Sequence, residues 1–142
     1  MPISTRNRFS GTVAAVKEGA VNGTVTVEVG GLFLKAGITM DSIRRLGLAE
    51  GSPAEVVVRE PAVMFAPGTC RLPVSARNQI AGRIASVERG DVEAAVTLAA
   101  SDGSLAVTGI VAAAELDELG LEAGAPALAL IKATDVLVRL PE

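Results

Sequence analysis

The chain has 142 residues, 49% apolar and 2% aromatic, with no histidine, one cysteine and a formal net charge of −3. That composition excludes an internal disulfide and an ordinary zinc site, and it lacks the basic stripe and aromatic stacking platforms of a nucleic-acid binder. The apolar residues never gather into a run long enough to cross a bilayer, and residues 1–6 carry no apolar leader core, so the expectation is a soluble cytoplasmic protein with no membrane and no nucleic-acid partner.

In chain order the pattern is mostly of period two. Residues 9–13 (FSGTV), 21–29 (VNGTVTVEV) and 54–58 (AEVVV) are β-branched runs bounded by Gly, Pro or Asn, as half-buried strands are. Residues 17–20 (KEGA) read as a hairpin turn, and Gly30-Gly31 serves the next one. Residues 39–48 (TMDSIRRLGL) break the alternation. Thr39 is an N-cap candidate, Met40, Ile43 and Leu46 are the apolar positions, and Gly47 stands where a C-terminal cap is expected.

Beyond a turn-rich stretch, residues 67–73 (PGTCRLP), the design repeats. Ser4, Arg6, Asn7, Gly11, Val16 and Gly19 line up with Ser75, Arg77, Asn78, Gly82, Val87 and Gly90 at a constant offset of 71 residues. An insertion near Ser101-Asp102 changes the offset to 73, after which Leu46-Gly47-Leu48 meets Leu119-Gly120-Leu121 and residues 111–121 (VAAAELDELGL) repeat the helix. The chain therefore reads as two domains, residues 1–66 and 74–142, joined by a linker at 67–73. Each has about five strands, with one short helix between the third or fourth strand and the last. The expected fold is all-β, two tandem OB-like Greek-key barrels each carrying one short helix. Units of this size are short of core, so association of the halves, or of several chains, must supply what neither disulfide nor metal can. Cys70 reads as a linker residue, with no histidine to activate it.

No catalytic constellation emerges, and the chain reads as a non-enzyme. The serines have no histidine partner, and Gly30-Gly31 lacks the strand–loop–helix context of a phosphate loop. Ser-x-Arg-Asn differs, because a hydroxyl, a forked guanidinium and an amide at the entry to a strand supply converging donors suited to an oxyanion. Spacing alone leaves that account level with a plainer one, in which Arg6 and Arg77 make surface ion pairs and the serines and asparagines shape a turn. A second cluster lies at what reads as each copy's last strand, VREPAV (58–63) and IKATDV (131–136). There Arg59 or Lys132 directly follows apolar residues, and Thr134 adds a hydroxyl. Taken alone it is a solvated strand end; beside Ser-x-Arg-Asn it would complete a cationic, hydroxyl-lined pocket.

These residues carry a resemblance. STRNRFSGTVAAVKEGAVNGTVTV with LGLAEGSPAEVVVREPAV, and SARNQIAGRIASVERG with LGLEAGAPALALIKATDV, resemble the two halves of a tandem molbindin, the molybdate-binding Mop-domain family also called molybdenum-pterin-binding proteins. The resemblance covers nearly the whole chain and is to the stand-alone two-domain form rather than to a transporter subunit or a transcription regulator. It implies a homotrimer of two-domain chains that stores and buffers molybdate or tungstate in the cytoplasm. The oxyanion would be bound between barrels, with no organic cofactor and no direct protein–metal bond. By motif match, the ligands would be Ser4, Thr5, Arg6 and Asn7 with Arg59, and Ser75, Ala76, Arg77 and Asn78 with Lys132, Ala133 and Thr134. A further, axial oxyanion would lie near Ala20, Val21 and Asn22.

Three departures from the family pattern stand out. Arg59 replaces the usual lysine, Glu60 adds a negative charge beside it, and the Gly-Ala-Val-Asn turn becomes Gly90-Asp91-Val92-Glu93 in the second copy. Two carboxylates near a dianion repel it, so the second axial site is expected to be weakened. The rival expectation, from another class, is an OB-type protein-interaction module with no role in oxyanion storage.

Overall fold

The computed structural model describes residues 3–141; Met1, Pro2 and Glu142, at the outer ends of the two expected domains and of the N-terminal reading, lie outside the described residues. The first copy runs β1 (Asn7–Lys17), β2 (Asn22–Val29), β3 (Leu32–Thr39), α1 (Met40–Leu46), β4 (Pro53–Val58), a 3-10 turn (Glu60–Ala62) and β5 (Met64–Pro67). The second repeats the order as β6 (Asn78–Arg89), β7 (Glu93–Ala100), β8 (Ala106–Ala112), α2 (Ala113–Leu119), β9 (Pro126–Ile131), a 3-10 turn (Ala133–Asp135) and β10 (Leu137–Arg139).

Local chemistry explains the helices. Thr39 accepts a hydrogen bond from Ser42 N–H at 3.1 Å, and Gly47 closes α1 in the left-handed region at φ 63. Gly120 does the same for α2 at φ 66, whereas Ala112 offers no capping side chain. The paired glycines Gly11 and Gly82 have a different cause. A Cβ there would run into the carbonyl oxygen of Glu28 or Ala99 on the neighbouring strand, so only glycine permits the close crossing. Both long strands then shift register a few residues on, between Val13 and Ala15 and between Ile84 and Ser86. Such an irregularity curls a sheet toward a barrel.

The two sheets run β10-β4-β1-β2-β3 and β5-β9-β6-β7-β8, so each takes its outermost strand from the other copy. Met64 to Pro67 pair with Leu130 to Ala127, and Leu137 to Arg139 pair with Val57 to Glu55. This corrects the sequence reading at two points. The segments carrying Arg59 and Lys132 are not last strands, since a further strand follows each of them. The expected linker also begins inside β5, at Pro67. The exchange covers the edges of β4 and β9, which would otherwise present unpaired backbone to solvent. One buried apolar cluster runs through both copies, from Val13, Val25, Val27 and Val56 to Ile84, Val96, Leu98 and Ile131. The association of halves that short units require is thus met within the chain.

Candidate functional site

The antiparallel ladders decide what stands beside what. Asn7 pairs with Val58 and Asn78 with Ile131, so each Ser-x-Arg-Asn segment entering β1 or β6 runs alongside the residues leaving β4 or β9. The two motifs of a copy therefore meet inside that copy. The strand pairing itself brings Arg59 and Lys132 to the motif of their own copy.

The asparagines have a different task from the one the motif suggests. Asn7 and Asn78 are among the few buried polar residues described. Asn7 Nδ2 donates to Thr108 O at 2.7 Å and Thr108 N–H donates to Asn7 Oδ1 at 2.8 Å. Asn78 likewise donates to Lys35 O at 2.8 Å and accepts from Lys35 N–H at 2.7 Å. Each side-chain amide pairs like a strand with the third strand of the opposite copy. Their carbonyl oxygens are thereby taken up by backbone N–H groups.

Around the first-copy motif the chain supplies its own anions. The Thr5 hydroxyl lies in hydrogen-bond reach of Val58 O at 2.9 Å and of the Glu60 carboxylate, and Asn7 N–H donates back to it at 3.2 Å. Arg6 N–H donates to the same Glu60 oxygen at 3.4 Å, while the Arg6 guanidinium meets Glu88 of the second copy, also at 3.4 Å. The Thr5 hydrogen bond holds the Glu60 carboxyl below the usual carboxylate range against the opposing effect of burial, with lesser help from its own backbone N–H and from Arg6. Ser4 and Arg59 are exposed. Arg59 lines a cavity of about 580 Å³ with Ile3, Ser42 and, from the second copy, Thr134.

The second-copy motif has different company. Arg77 Nη1 donates to the Thr24 hydroxyl of the first copy at 3.3 Å. Together they line a cavity of about 200 Å³ with Lys17, Glu18 and Asn22. Asn22, assigned by resemblance to an axial site, and Arg77, assigned to a peripheral one, thus share one cavity. Lys35, whose backbone Asn78 clamps, extends its ammonium to Thr26 at 3.2 Å. Ser75, Lys132 and Thr134 are exposed and Ala76 and Ala133 are buried, while Ala20 and Val21 stand out at the β1–β2 hairpin tip.

Sequence reasoning missed Lys17, Thr24 and Lys35, which the fold carries to or beside the second-copy motif. The available signal was divergence between the copies, since these residues align with Glu88, Ala95 and Thr108. Among the described residues no group of three His, Cys, Asp or Glu side chains could hold a metal ion. The donors gathered here suit an acceptor-only anion.

Comparison with known proteins agrees with the repeat. The TOBE domain model matches residues 3–65 and again 74–138. The chain belongs to the TOBE-domain family. Its two TOBE copies together are 34% identical to the molybdenum transport protein ModE of Herbaspirillum seropedicae, over 100% of this chain and 53% of that protein. They are also 34% identical to the molybdenum-pterin-binding protein MopA of Rhodobacter capsulatus, over 99% of this chain and 53% of MopA. The chain thus spans about half the length of these curated relatives. A single TOBE copy is 43% identical over 65 residues to a probable molybdenum-pterin-binding protein of Haemophilus influenzae, covering 93% of it. The solved structure of the cytoplasmic molybdate-binding protein ModG, with molybdate bound, superposes with a TM-score of 0.92 at 43% identity and covers 99% of this chain and 100% of ModG. That likeness bears out the all-β fold of two tandem OB-like units. Among the described residues no helix is long and apolar enough to cross a membrane.

Proposed function

We propose that this TOBE pair binds molybdate, and tungstate with it, as a cytoplasmic store that buffers the oxyanion. The observation that carries this reading is the joint cavity of the two copies. Arg77 from one copy reaches the Thr24 hydroxyl of the other and, with Lys17, Glu18 and Asn22, lines a space of about 200 Å³. At about 30 Å³ per water, that space holds a tetrahedral oxyanion and several waters. Molybdate is a dianion with acceptors only, so charge-assisted hydrogen bonds hold it without a metal-ligand bond. Ser75, Ala76, Arg77, Asn78, Lys132, Ala133 and Thr134 remain the proposed second-copy ligand segments, by side chain or by main-chain N–H. For Asn78 the contribution is to position the segment, since its side chain pairs with Lys35. The names of the relatives and the molybdate in ModG support the choice of anion. A trimer of such chains, with oxyanions between barrels, is part of the proposal.

Because residues of both copies approach one anion, binding stabilises their docking, and docking makes the site. Equilibrium dialysis with metal analysis tests the reading. The chain should retain molybdate or tungstate at micromolar concentrations with sulfate present as competitor. Retention of neither would leave the fold serving as a protein-interaction module.

A further inference from the structure

In the first copy an anionic oxygen already sits on the motif. Glu60 Oε1 accepts both from the Thr5 hydroxyl and from Arg6 N–H. In the second copy the aligned residues are Ala76 and Ala133, so the hydroxyl and the carboxylate are absent together. Donors that hold a carboxylate oxygen are donors of the kind that hold an oxyanion, since both ligands offer acceptors only. We propose that Glu60 is a built-in occupant of the first-copy oxyanion site, so that the chain takes up external oxyanion through its second-copy motif and not through its first. This rests on the reading of the chain as an oxyanion binder and assigns its two copies different duties.

Three features of the same surroundings point the same way. Arg6 has a second carboxylate partner in Glu88, where Arg77 has the neutral hydroxyl of Thr24. Pro61 stands where the second copy has Thr134, which removes a hydroxyl donor from the first copy. The Thr5 hydrogen bond also favours the ionised form of Glu60, so the occupant keeps its charge. An incoming dianion would have to displace one carboxylate and lie near another, whereas at the second motif the aligned positions are the alanines Ala76 and Ala133, and the Arg77 cavity sets Lys17 beside its one carboxylate, Glu18. Glu60 is thus a residue that sets which copy binds.

The test uses the full chain and molybdate alone as probe, measured by equilibrium dialysis with metal analysis. Glu60→Ala, which copies Ala133, should raise the number bound by one per chain, and Arg6→Ala in that background should remove the addition. Glu60→Gln keeps the side-chain shape without its charge, guards against a folding defect in the alanine variant, and should give the same addition at lower affinity. The proposal is overturned if binding is abolished by Arg77→Ala in the otherwise unaltered chain while Glu60→Ala and Glu60→Gln leave number and affinity unchanged. It is equally overturned if Arg6→Ala alone removes molybdate from the unaltered chain. Retention of no molybdate by any of these proteins would instead bring down the oxyanion reading itself, and this proposal with it.

Discussion

The side-chain amide of Asn78 makes both hydrogen bonds that a neighbouring strand would make to Lys35, 43 positions away and in the opposite copy. Asn7 does the same for Thr108. Removing either amide strands a backbone N–H and a C=O at the seam, and each unmet group costs about 1–3 kcal/mol. Asn78→Ala should therefore lower stability by roughly 2–4 kcal/mol in urea denaturation, with little change in the slope. Asn78→Asp should do comparable damage, because it sets a carboxylate oxygen against Lys35 O. A loss under about 0.5 kcal/mol for both variants would mean that the seam does not depend on these amides.

Charge differs across the two motifs, and binding should follow it. Arg77 meets Thr24 and shares a cavity with Lys17 and Glu18, while Arg6 is engaged by Glu60 through its backbone N–H and by Glu88 through its guanidinium. Arg77→Ala should lower the number of molybdate ions bound without unfolding the protein, and Arg6→Ala should change binding little. Lys17→Glu, which gives the first copy the residue found at Glu88, should weaken molybdate by about tenfold or more, equivalent to about 1.4 kcal/mol. Titration calorimetry checks all three; equal effects of Arg6→Ala and Arg77→Ala would contradict the asymmetry.

Much of this architecture is legible in the chain because it is locally encoded. The β1–β2 turn, which falls at 18–21 where the sequence suggests 17–20, the Gly30-Gly31 turn, the Thr39 cap and the left-handed glycines at 47 and 120 each follow from the chemistry of a few adjacent residues. The exchanged strands are not locally encoded. Met64–Pro67 and Leu137–Arg139 are too short to show alternation, and what recruits them is an exposed edge in the other copy. The site divides in the same way. Ser-x-Arg-Asn stands out as donor-rich, but nothing nearby in sequence says that its asparagine faces Lys35 or Thr108 while its arginine faces Thr24 or Glu88. Those partners are long-range, and the trace they leave is a change of charge between aligned positions, Lys17 against Glu88 and Glu60 against Ala133.

Acid should weaken the fold through a small set of carboxylates. Glu60 is held below its ordinary 4.5 chiefly by the Thr5 hydrogen bond, and Asp102 and Asp117 below 3.8 chiefly by Ser104 and Arg89. A group whose folded value is depressed contributes stability that is fully present above its unfolded value and is lost as pH falls through the folded one. The melting temperature should therefore be unaffected by these groups above about pH 5.5 and should fall as the pH drops below about 4.5. Glu60→Gln should make that decline shallower, and an identical acid profile in the two proteins would show that the Thr5 contact contributes nothing.

The β6–β7 hairpin tip offers a separate test of how charge sets stoichiometry. It mirrors the β1–β2 tip, yet Asp91 and Glu93 replace Ala20 and Asn22, and all four residues are exposed. Val21 and Val92, between them, are 72% and 77% exposed, so both tips are free to meet other surfaces. The backbone of the second tip is closed by Gly90 N–H on Glu93 O at 2.9 Å, a bond that no side-chain exchange removes. Asp91→Ala with Glu93→Asn should therefore leave the melting temperature nearly unchanged while taking two negative charges from the tip. If the Ala20-Val21-Asn22 turn helps to hold an axial oxyanion, the altered second tip gains the same capacity, and the molybdate stoichiometry measured by calorimetry should rise. Because Glu60 is untouched, this gain is independent of the first-copy occupant and should survive Arg6→Ala. An unchanged stoichiometry in the double variant would sink the axial assignment for the second copy.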